Sequence, residues 1–196
     1  FYQVLSQGLF LPGGRILAGA GTMHHVTLFN CFVMSIKEDS ISGIFNALRE
    51  GALTLQQGGG VGYDFSLLRP AGDPVSSGGI ASGPVSFMTI WDAASSVLVS
   101  TGARRGAMMG VLRCDHPDIE EFIAAKQQAN LLRQFNVSVF VTDEFMTAVK
   151  DDADWPLLFP TEQPDSHSVQ RLWVDGELRY CKIYRYVKAR ELWEKI

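Results

Sequence analysis

Apolar positions in the first fifty-odd residues change from a strand-like run to a helix-like stripe. Val26 to Ile36 is a short, β-rich apolar run that predicts a buried strand. From Ile41 to Gln57 the apolar residues recur at helical spacing, and Asp39 and Ser40 directly before them are N-cap candidates. The pattern therefore predicts a strand followed by a capped helix.

The same alternation continues to about residue 150 of the chain. The predicted elements are a strand over Tyr63 to Leu67, a helix opened by Ser82 or Gly83 with Pro84 in its first turn and ending near Ser100, a strand through Val111 and Leu112, a helix start over Asp115 to Phe122, a strand over Phe135 to Val141 and a short helix capped by Thr142. Strands that alternate with helices predict an α/β architecture.

The pattern changes after Asp151. A hairpin is predicted from Arg171 to Ile183 around the turn Asp175-Gly176, and a helix begins near Val187. This last helix shows no C-terminal stop signal, and the chain starts at Phe1 instead of methionine. We therefore expect the sequence to be part of a longer protein.

Composition and charge exclude several classes of protein. Hydrophobic residues make up 46% and charged residues 19% of 196 residues, which is typical of a folded domain. The net charge of −4 argues against a broadly basic nucleic-acid binder. No apolar run approaches the ~20 residues of a membrane span, and no signal peptide is present. We expect a soluble protein of a reducing compartment.

The three cysteines have neither a disulfide-framework spacing nor a metal-site spacing, so no metal site is predicted. Cys31, in the predicted buried strand, is interpreted either as a small hydrophobic residue or as a thiol that meets a second cysteine. The Asp115-His116 pair is better explained by helix capping than by a catalytic dyad. No serine occupies a nucleophile elbow.

Glycine-rich loops are the main candidates for ligand contact. Gly58 to Gly62 lacks the Gly-Lys-Ser/Thr ending of a P-loop and follows a helix instead of preceding one, so a helix C-cap is the better interpretation. The long Gly/Ser loop from Pro70 to Pro84 is expected to be functional or mobile. Arg104 and Arg105, flanked by glycines, indicate either an anion contact or a solvated turn.

A series of short motifs follows in a fixed order along nearly the whole chain: Thr27–Val33, Glu38–Ile41, Gly58–Gly62, Leu68–Pro70, Ala81–Val85, Arg104–Ala107, Leu112–Ile119 and Val141–Met146. In this order and spacing they resemble the large, catalytic subunit of ribonucleotide reductases. The sequences of Ala103 to Met109 and of Cys114 to Asp118 are most similar to those of the adenosylcobalamin-dependent class II enzymes.

The resemblance implies a fold and a redox role. The family folds as a ten-stranded α/β barrel made of two half-barrels, so residues 1–196 are expected to form the N-terminal part of the barrel with effector-specificity elements. Cys31 matches the cysteine that reduces the ribose 2′ position by a thiyl-radical mechanism and then forms a disulfide, here with a partner outside the chain. Asn30 and Arg105 are the implied substrate contacts.

The resemblance also implies an allosteric site for a deoxynucleoside triphosphate or ATP. Asp39 matches the carboxylate that holds the effector sugar, with Ser40 beside it, and Arg69 matches an arginine that contacts its phosphates. The loop between Ala71 and Ser82 matches the first specificity loop. Ser100 and Gly102 lie in the stretch that matches the second, which relays effector identity to the substrate.

In the longer enzyme the resemblance further implies adenosylcobalamin as cofactor, a thioredoxin-like reductant, a homodimer and a cytoplasmic location, with no membrane or nucleic-acid partner. The radical cysteine of the family and the second redox cysteine have no match in this chain, so the isolated chain is expected to be inactive. Two alternatives stay open: an iron-dependent class I large subunit, and a nucleotide-binding module without catalysis.

Overall fold

The computed structural model describes residues 1–23, 25–75, 78–98, 107–128 and 131–196. The helices within these ranges are α1 (Tyr2–Ser6), α2 (Gly14–Gly19), α3 (Ile41–Gln56), α4 (Gly83–Val97), α5 (Ile119–Ala125), α6 (Asp143–Asp151) and α7 (Ala189–Lys195). The strands are β1 (Cys31–Ser35), β2 (Gly60–Asp64), β3 (Met108–Arg113), β4 (Phe135–Phe140), β5 (Asp154–Pro160), β6 (Val169–Leu172) and β7 (Leu178–Lys188).

The first four strands form a parallel sheet in sequence order. The chain passes through α3 between β1 and β2, through α4 between β2 and β3, and through α5 between β3 and β4. Parallel neighbours need such crossovers because the chain must return to the same end of the sheet before each strand. The expected α/β architecture is confirmed.

The three crossover helices cover one face of this sheet. Val61 and Tyr63 of β2 and Met108 and Leu112 of β3 are almost fully buried and belong to one core cluster with residues of α3, α4 and α5. Tyr63 packs edge-on against Trp91 of α4, with ring centroids 5.5 Å apart. Alternate residues of β2 and β3 therefore point toward the helices.

The opposite face of the same sheet is open in the part of the chain that the structure describes. Cys31 is exposed, Val33 is 99% exposed, and Met109 and Phe140 are about half-exposed at 42% and 50%. The prediction of a buried first strand is therefore wrong: β1 is at the edge of the sheet, and no described helix covers one of its faces. The sequence of β1 is apolar, but a strand is buried only where another layer packs on it, and none of the described helices packs on this face.

Helix ends follow the local sequence closely. Ser40 caps α3 by accepting a hydrogen bond from the amide of Gly43 at 3.0 Å, and Thr142 caps α6 by accepting one from the amide of Phe145 at 3.2 Å. Gly58, with φ of +81°, ends α3 in a Schellman motif: its amide donates to Leu55 O, and the next amide donates to Thr54 O. The predicted caps Ser40 and Thr142 and the predicted glycine C-cap are confirmed. Asp39, the other candidate before α3, does not cap it, and Ser82 is at the N-cap position of α4 without a side-chain hydrogen bond.

The second sheet is antiparallel, with β7 between β5 and β6. The predicted hairpin is present as β6 and β7, and Gly176 takes the positive φ of +81° that its turn requires. The sequence pattern did not predict β5, nor α1 and α2. The predicted helix start at Asp115 is also wrong in position, because α5 begins at Ile119. Among the described residues no helix is long and apolar enough to cross a membrane.

Candidate functional site

The sequence-predicted site residues that the structure describes fall at the two ends of β1. Asn30 and Cys31 stand at its amino end, whereas Asp39 and Ser40 follow its carboxyl end. Arg69 comes after β2 and reaches the same carboxyl end. Since the five residues of β1 span roughly 16 Å, the redox and effector predictions concern two separate places joined by one strand.

At the amino end, Cys31 presents a free thiol on the open face of the sheet. Its register partner on β2 is Gly60, and a Cβ at that glycine would lie 3.3 Å from Cys31 Sγ. The carbonyl of Asn30 accepts a hydrogen bond from the amide of Gly60 at 2.8 Å. A side chain at position 60 would crowd the sulfur, so the glycine keeps the surface beside the thiol clear.

The other two cysteines differ from Cys31 in their surroundings. Cys114 and Cys181 are both completely buried. Burial raises the pKa of Cys114 to about 12 and that of Cys181 to about 11. These thiols stay protonated at neutral pH and therefore unreactive, because the thiolate is the nucleophile. Cys31 is the exposed thiol of the chain.

At the carboxyl end, Asp39 and Arg69 form an ion pair. Arg69 Nε donates to Asp39 Oδ2 at 2.5 Å, and the backbone amide of Arg69 donates to the same oxygen at 3.3 Å. Arg69 also donates to the carbonyls of Asp39 and Pro74, at 3.4 Å and 3.2 Å. Both side chains remain partly exposed, at 33% for Arg69 and 23% for Asp39. The pair holds the guanidinium in place and leaves part of it accessible to an anion.

Ser40 completes this group at the N-terminus of α3. Its hydroxyl donates to Glu38 Oε2 at 3.2 Å while it accepts from the amide of Gly43. The sixteen-residue helix α3 points its amino end at this corner. A carboxylate, a hydroxyl and a partly free guanidinium offer acceptors for sugar hydroxyls and donors for phosphate oxygens.

The residues after Arg69 form a narrow two-stranded structure, which we call the loop stem (Ala71–Val75 and Gly78–Ser82). The amide of Gly72 donates to Ala81 O at 2.9 Å, and the amide of Ala81 donates to Asp73 O at 2.7 Å. An isolated bridge pairs Pro74 with Ile80. The described residues of the predicted long loop are therefore paired with each other through backbone hydrogen bonds.

The remaining site predictions lie outside the described residues. Ser100 and Gly102, predicted to bind the effector, and Arg105, predicted to contact the substrate, belong to the segment 99–106. The anion-contact interpretation of Arg104 lies in the same segment.

Sequence reasoning missed the role of the segment after β3. His116 is completely buried, and the structure brings its ring nitrogens to two backbone groups: Nε2 lies 2.9 Å from Leu68 O, and Nδ1 accepts from the amide of Asp118 at 3.0 Å. Asp118 Oδ2 in turn accepts from the amide of Ala71 at 2.8 Å. These bonds connect the start of α5 to the residues on either side of Arg69. The Cys-Asp-His-Pro-Asp motif could have signalled a buried polar group, but capping explained it equally well.

A buried ion pair lies next to His116. Both nitrogens Nε and Nη2 of Arg113 donate to the carboxylate of Asp115, at 2.8 Å and 2.7 Å, and the guanidinium lies 4.7 Å from the Trp173 ring centre. Arg113, Asp115 and Trp173, together with Phe140 and Arg171, line a cavity of about 460 Å³ at the carboxyl edge of the parallel sheet. Arg113 Nη1 also donates to the carbonyl of Leu172 in β6 at 3.3 Å, so this arginine links the end of β3 to the second sheet.

The described residues contain no group of three or more histidine, cysteine, aspartate or glutamate side chains placed to hold a metal ion.

Comparisons with known proteins agree with this architecture. A family model described as "Ribonucleotide reductase, barrel domain" matches residues 29–196. The chain is 42% identical over its whole length to a vitamin B12-dependent ribonucleoside-diphosphate reductase of Thermoplasma acidophilum, and 50% identical over 76% of its length to one of Mycobacterium tuberculosis. It covers 23% and 22% of these relatives, so the chain spans about a quarter of their length.

The fold has a neighbour among solved structures. A class Id ribonucleotide reductase alpha subunit of Actinobacillus ureae superposes on 76% of the chain with a TM-score of 0.66 and 23% sequence identity. The match covers 27% of that structure.

Proposed function

The chain belongs to the ribonucleotide reductase barrel family, and from this membership we propose that it forms the N-terminal half of the catalytic barrel in a longer enzyme that reduces ribonucleotides to 2′-deoxyribonucleotides. The observation that carries the proposal is the exposed thiol of Cys31 on the open face of the parallel sheet, opposite Gly60. In this proposal the open face is the inner wall of the barrel. The helices α3, α4 and α5 form its outer layer.

The proposed chemistry at Cys31 is a two-electron reduction by a pair of thiols. One thiol supplies a proton to the 2′-hydroxyl, which leaves as water when the C–O bond breaks. The two sulfurs then join in a disulfide, and the two electrons they give up, with the proton of the second thiol, form the new C2′–H bond. The second thiol would come from another part of the longer protein. An external dithiol of the thioredoxin type would then reduce the disulfide. This scheme needs an accessible sulfur, and Cys31 has one.

The proposed radical source is adenosylcobalamin, because relatives 42% and 50% identical to the chain are named vitamin B12-dependent. When bound, this cofactor supplies a radical by homolysis of its cobalt–carbon bond. The radical cysteine of the family has no match in this chain, and Cys31, exposed on a face that no described helix covers, would act in the reduction that follows. The chain's own contribution is to hold this thiol and keep the adjacent surface clear at Gly60.

The proposed regulatory site is the corner formed by Asp39, Ser40 and Arg69, with a deoxynucleoside triphosphate or ATP as its ligand. Asp39 would accept from the sugar hydroxyl, and the free hydrogens of Arg69 would meet phosphate oxygens. We further propose that two copies of the longer protein assemble as a cytoplasmic homodimer.

The test of this function is turnover by the longer protein with adenosylcobalamin and a dithiol. We expect deoxyribonucleotide to form, and the Cys31→Ser variant to lose multiple turnover by at least about a hundredfold, because serine cannot form the disulfide. The matched control is Cys181→Ala, which removes a buried thiol of the second sheet and is expected to keep turnover. Full activity of Cys31→Ser would refute the redox role. Activity that needs a separate radical-generating subunit instead of cobalamin would place the protein in class I.

A further inference from the structure

We propose that Tyr184 and Asp118 are positioning residues for the effector site: they fix the loop stem beside Arg69 and so set the affinity for the nucleotide. This inference rests on the proposed effector site and adds two residues to which the sequence analysis gave no role there. Tyr184 and Asp118 hold the loop stem next to the site and do not themselves contact the ligand.

The first anchor comes from the second sheet. Tyr184, on β7, donates its hydroxyl hydrogen to Asp73 Oδ2 at 2.6 Å across 111 sequence positions. The bond is short and charge-assisted, which is the stronger kind of hydrogen bond in proteins. The backbone carbonyl of Asp73 also accepts a hydrogen bond from the amide of Ala81. The tyrosine therefore holds the first half of the loop stem, and this half pairs with the second.

The second anchor comes from the start of α5. Asp118 Oδ2 accepts from the amide of Ala71 at 2.8 Å, and the same oxygen lies 2.5 Å from the position that a Cβ would take at Gly83. The carboxylate thus lies between the first residue of the stem and the glycine that follows its last residue. Gly83 has φ of +78°, so the close approach and the backbone conformation both require glycine there.

Arg69 is bound into the same structure. Its Nη1 donates to Pro74 O, inside the stem, at 3.2 Å. His116 Nε2 donates to the carbonyl of Leu68, the residue before Arg69, at 2.9 Å. The guanidinium therefore has the Asp39 carboxylate on one side and the stem on the other. A displaced stem would change the direction in which its free hydrogens point.

The consequence is a preorganised phosphate contact. A ligand that binds an arginine already held in place loses less conformational entropy than one that must order it. Removal of one anchor leaves Asp39, Ser40 and Arg69 themselves intact. We therefore expect a lower affinity for the effector and an unchanged maximal response at saturating effector.

The experiment compares Tyr184→Phe with Tyr186→Phe in the longer protein. Tyr184→Phe removes only the hydroxyl, whereas Tyr186, 60% exposed on the same strand, is the matched control. Isothermal titration with each deoxynucleoside triphosphate is expected to give about tenfold weaker binding for Tyr184→Phe, the factor expected for one charge-assisted hydrogen bond, and unchanged binding for Tyr186→Phe. The melting temperature of Tyr184→Phe should stay within about 2 °C of the wild type, and saturating effector should restore the wild-type rate.

A double-mutant cycle with Asp73→Ala separates the effect of the Tyr184–Asp73 hydrogen bond on affinity from a nonspecific effect of the substitution on the fold. If the bond carries the effect, Tyr184→Phe has no further effect on affinity in the Asp73→Ala background. Wild-type affinity in Tyr184→Phe, or an equal loss in both backgrounds, would overturn the inference while leaving the effector site standing. A wild-type protein that binds no deoxynucleoside triphosphate would instead refute the proposed effector site.

Discussion

His116 shows how one buried side chain couples protonation to the fold. Its Nε2 hydrogen is donated to Leu68 O and its Nδ1 accepts from Asp118 N, so the native state requires the neutral ring. Burial lowers the pKa of His116 to about 4, from an ordinary 6.5. Between pH 6.5 and pH 4 this histidine is protonated in the unfolded chain but stays neutral in the native state. The histidine therefore destabilises the fold progressively as the pH falls.

The expected result is a loss of up to roughly 3 kcal/mol in the free energy of unfolding between pH 6.5 and pH 4, since one pKa unit is worth about 1.4 kcal/mol. Above pH 6.5 both states hold the neutral ring and this pH dependence vanishes. Urea unfolding of the 196-residue chain across this range measures it. His116→Gln should be less stable at neutral pH but lose less on acidification, whereas His167→Gln on an exposed loop should follow the wild type. An unchanged pH slope in His116→Gln would contradict this account.

At the scale of elements, the packing of α3 against β2 depends on one glycine. A Cβ at Gly51 would lie 1.9 Å from the hydroxyl oxygen of Tyr63, which donates to Ala47 O at 2.9 Å. Alanine favours a helix interior by about 1 kcal/mol over glycine, but this overlap forces the tyrosine out of its place. The collision is the larger effect, because overpacking a full core costs about 1–3 kcal/mol before any lost hydrogen bond.

Gly51→Ala is accordingly expected to destabilise the chain by about 2 kcal/mol despite its higher helix propensity. Tyr63→Phe removes the obstructing oxygen, so Gly51→Ala in that background should cost less than about 1 kcal/mol. Chemical denaturation of the two single variants and the double variant gives the coupling energy. Additive effects would show that the clash does not decide the packing of this helix.

Elements whose signals are local were the ones that the sequence could predict. Ser40 and Thr142 cap their helices through bonds to residues three positions ahead, and Gly58 supplies a positive φ at the end of α3. These outcomes need no distant neighbour. β5 was missed because Pro156 and Pro160 read as strand breakers. They are tolerated on an edge strand, and β7 provides the pairing from far along the chain.

Site residues divide in the same way. The motifs pointed to Asp39 and Arg69, and the structure places them in contact although thirty positions separate them. Nothing local distinguished Cys31 as exposed, since an apolar run looks the same whether or not a second layer covers it. Tyr184 had no sequence signal because its partner lies 111 positions away. Asp118 lies in a motif that helix capping explained, and its partner, 47 positions away, could not be read from that motif.

For the whole molecule, the open face of the parallel sheet is the feature that most needs an explanation. All-parallel sheets are normally covered on both faces, yet here helices cover one, and Cys31, Val33 and Met109 are exposed on the other. The chain also spans only about a quarter of its relatives' length. Both observations agree with the proposed half-barrel, whose inner wall would face the remainder of the enzyme.

Val33→Lys distinguishes an inner wall from an ordinary surface. In the 196-residue chain Val33 is 99% exposed, so the lysine should change the free energy of unfolding by less than about 0.5 kcal/mol. In the longer protein the same lysine would be buried inside the barrel without a partner, and burial of an unpaired charge costs several kcal/mol. We expect a large fall in melting temperature and soluble yield there, measured beside Lys182→Val on β7 of the antiparallel sheet as a control. Equal tolerance of Val33→Lys in both proteins would show that the open face is not the interior of a barrel.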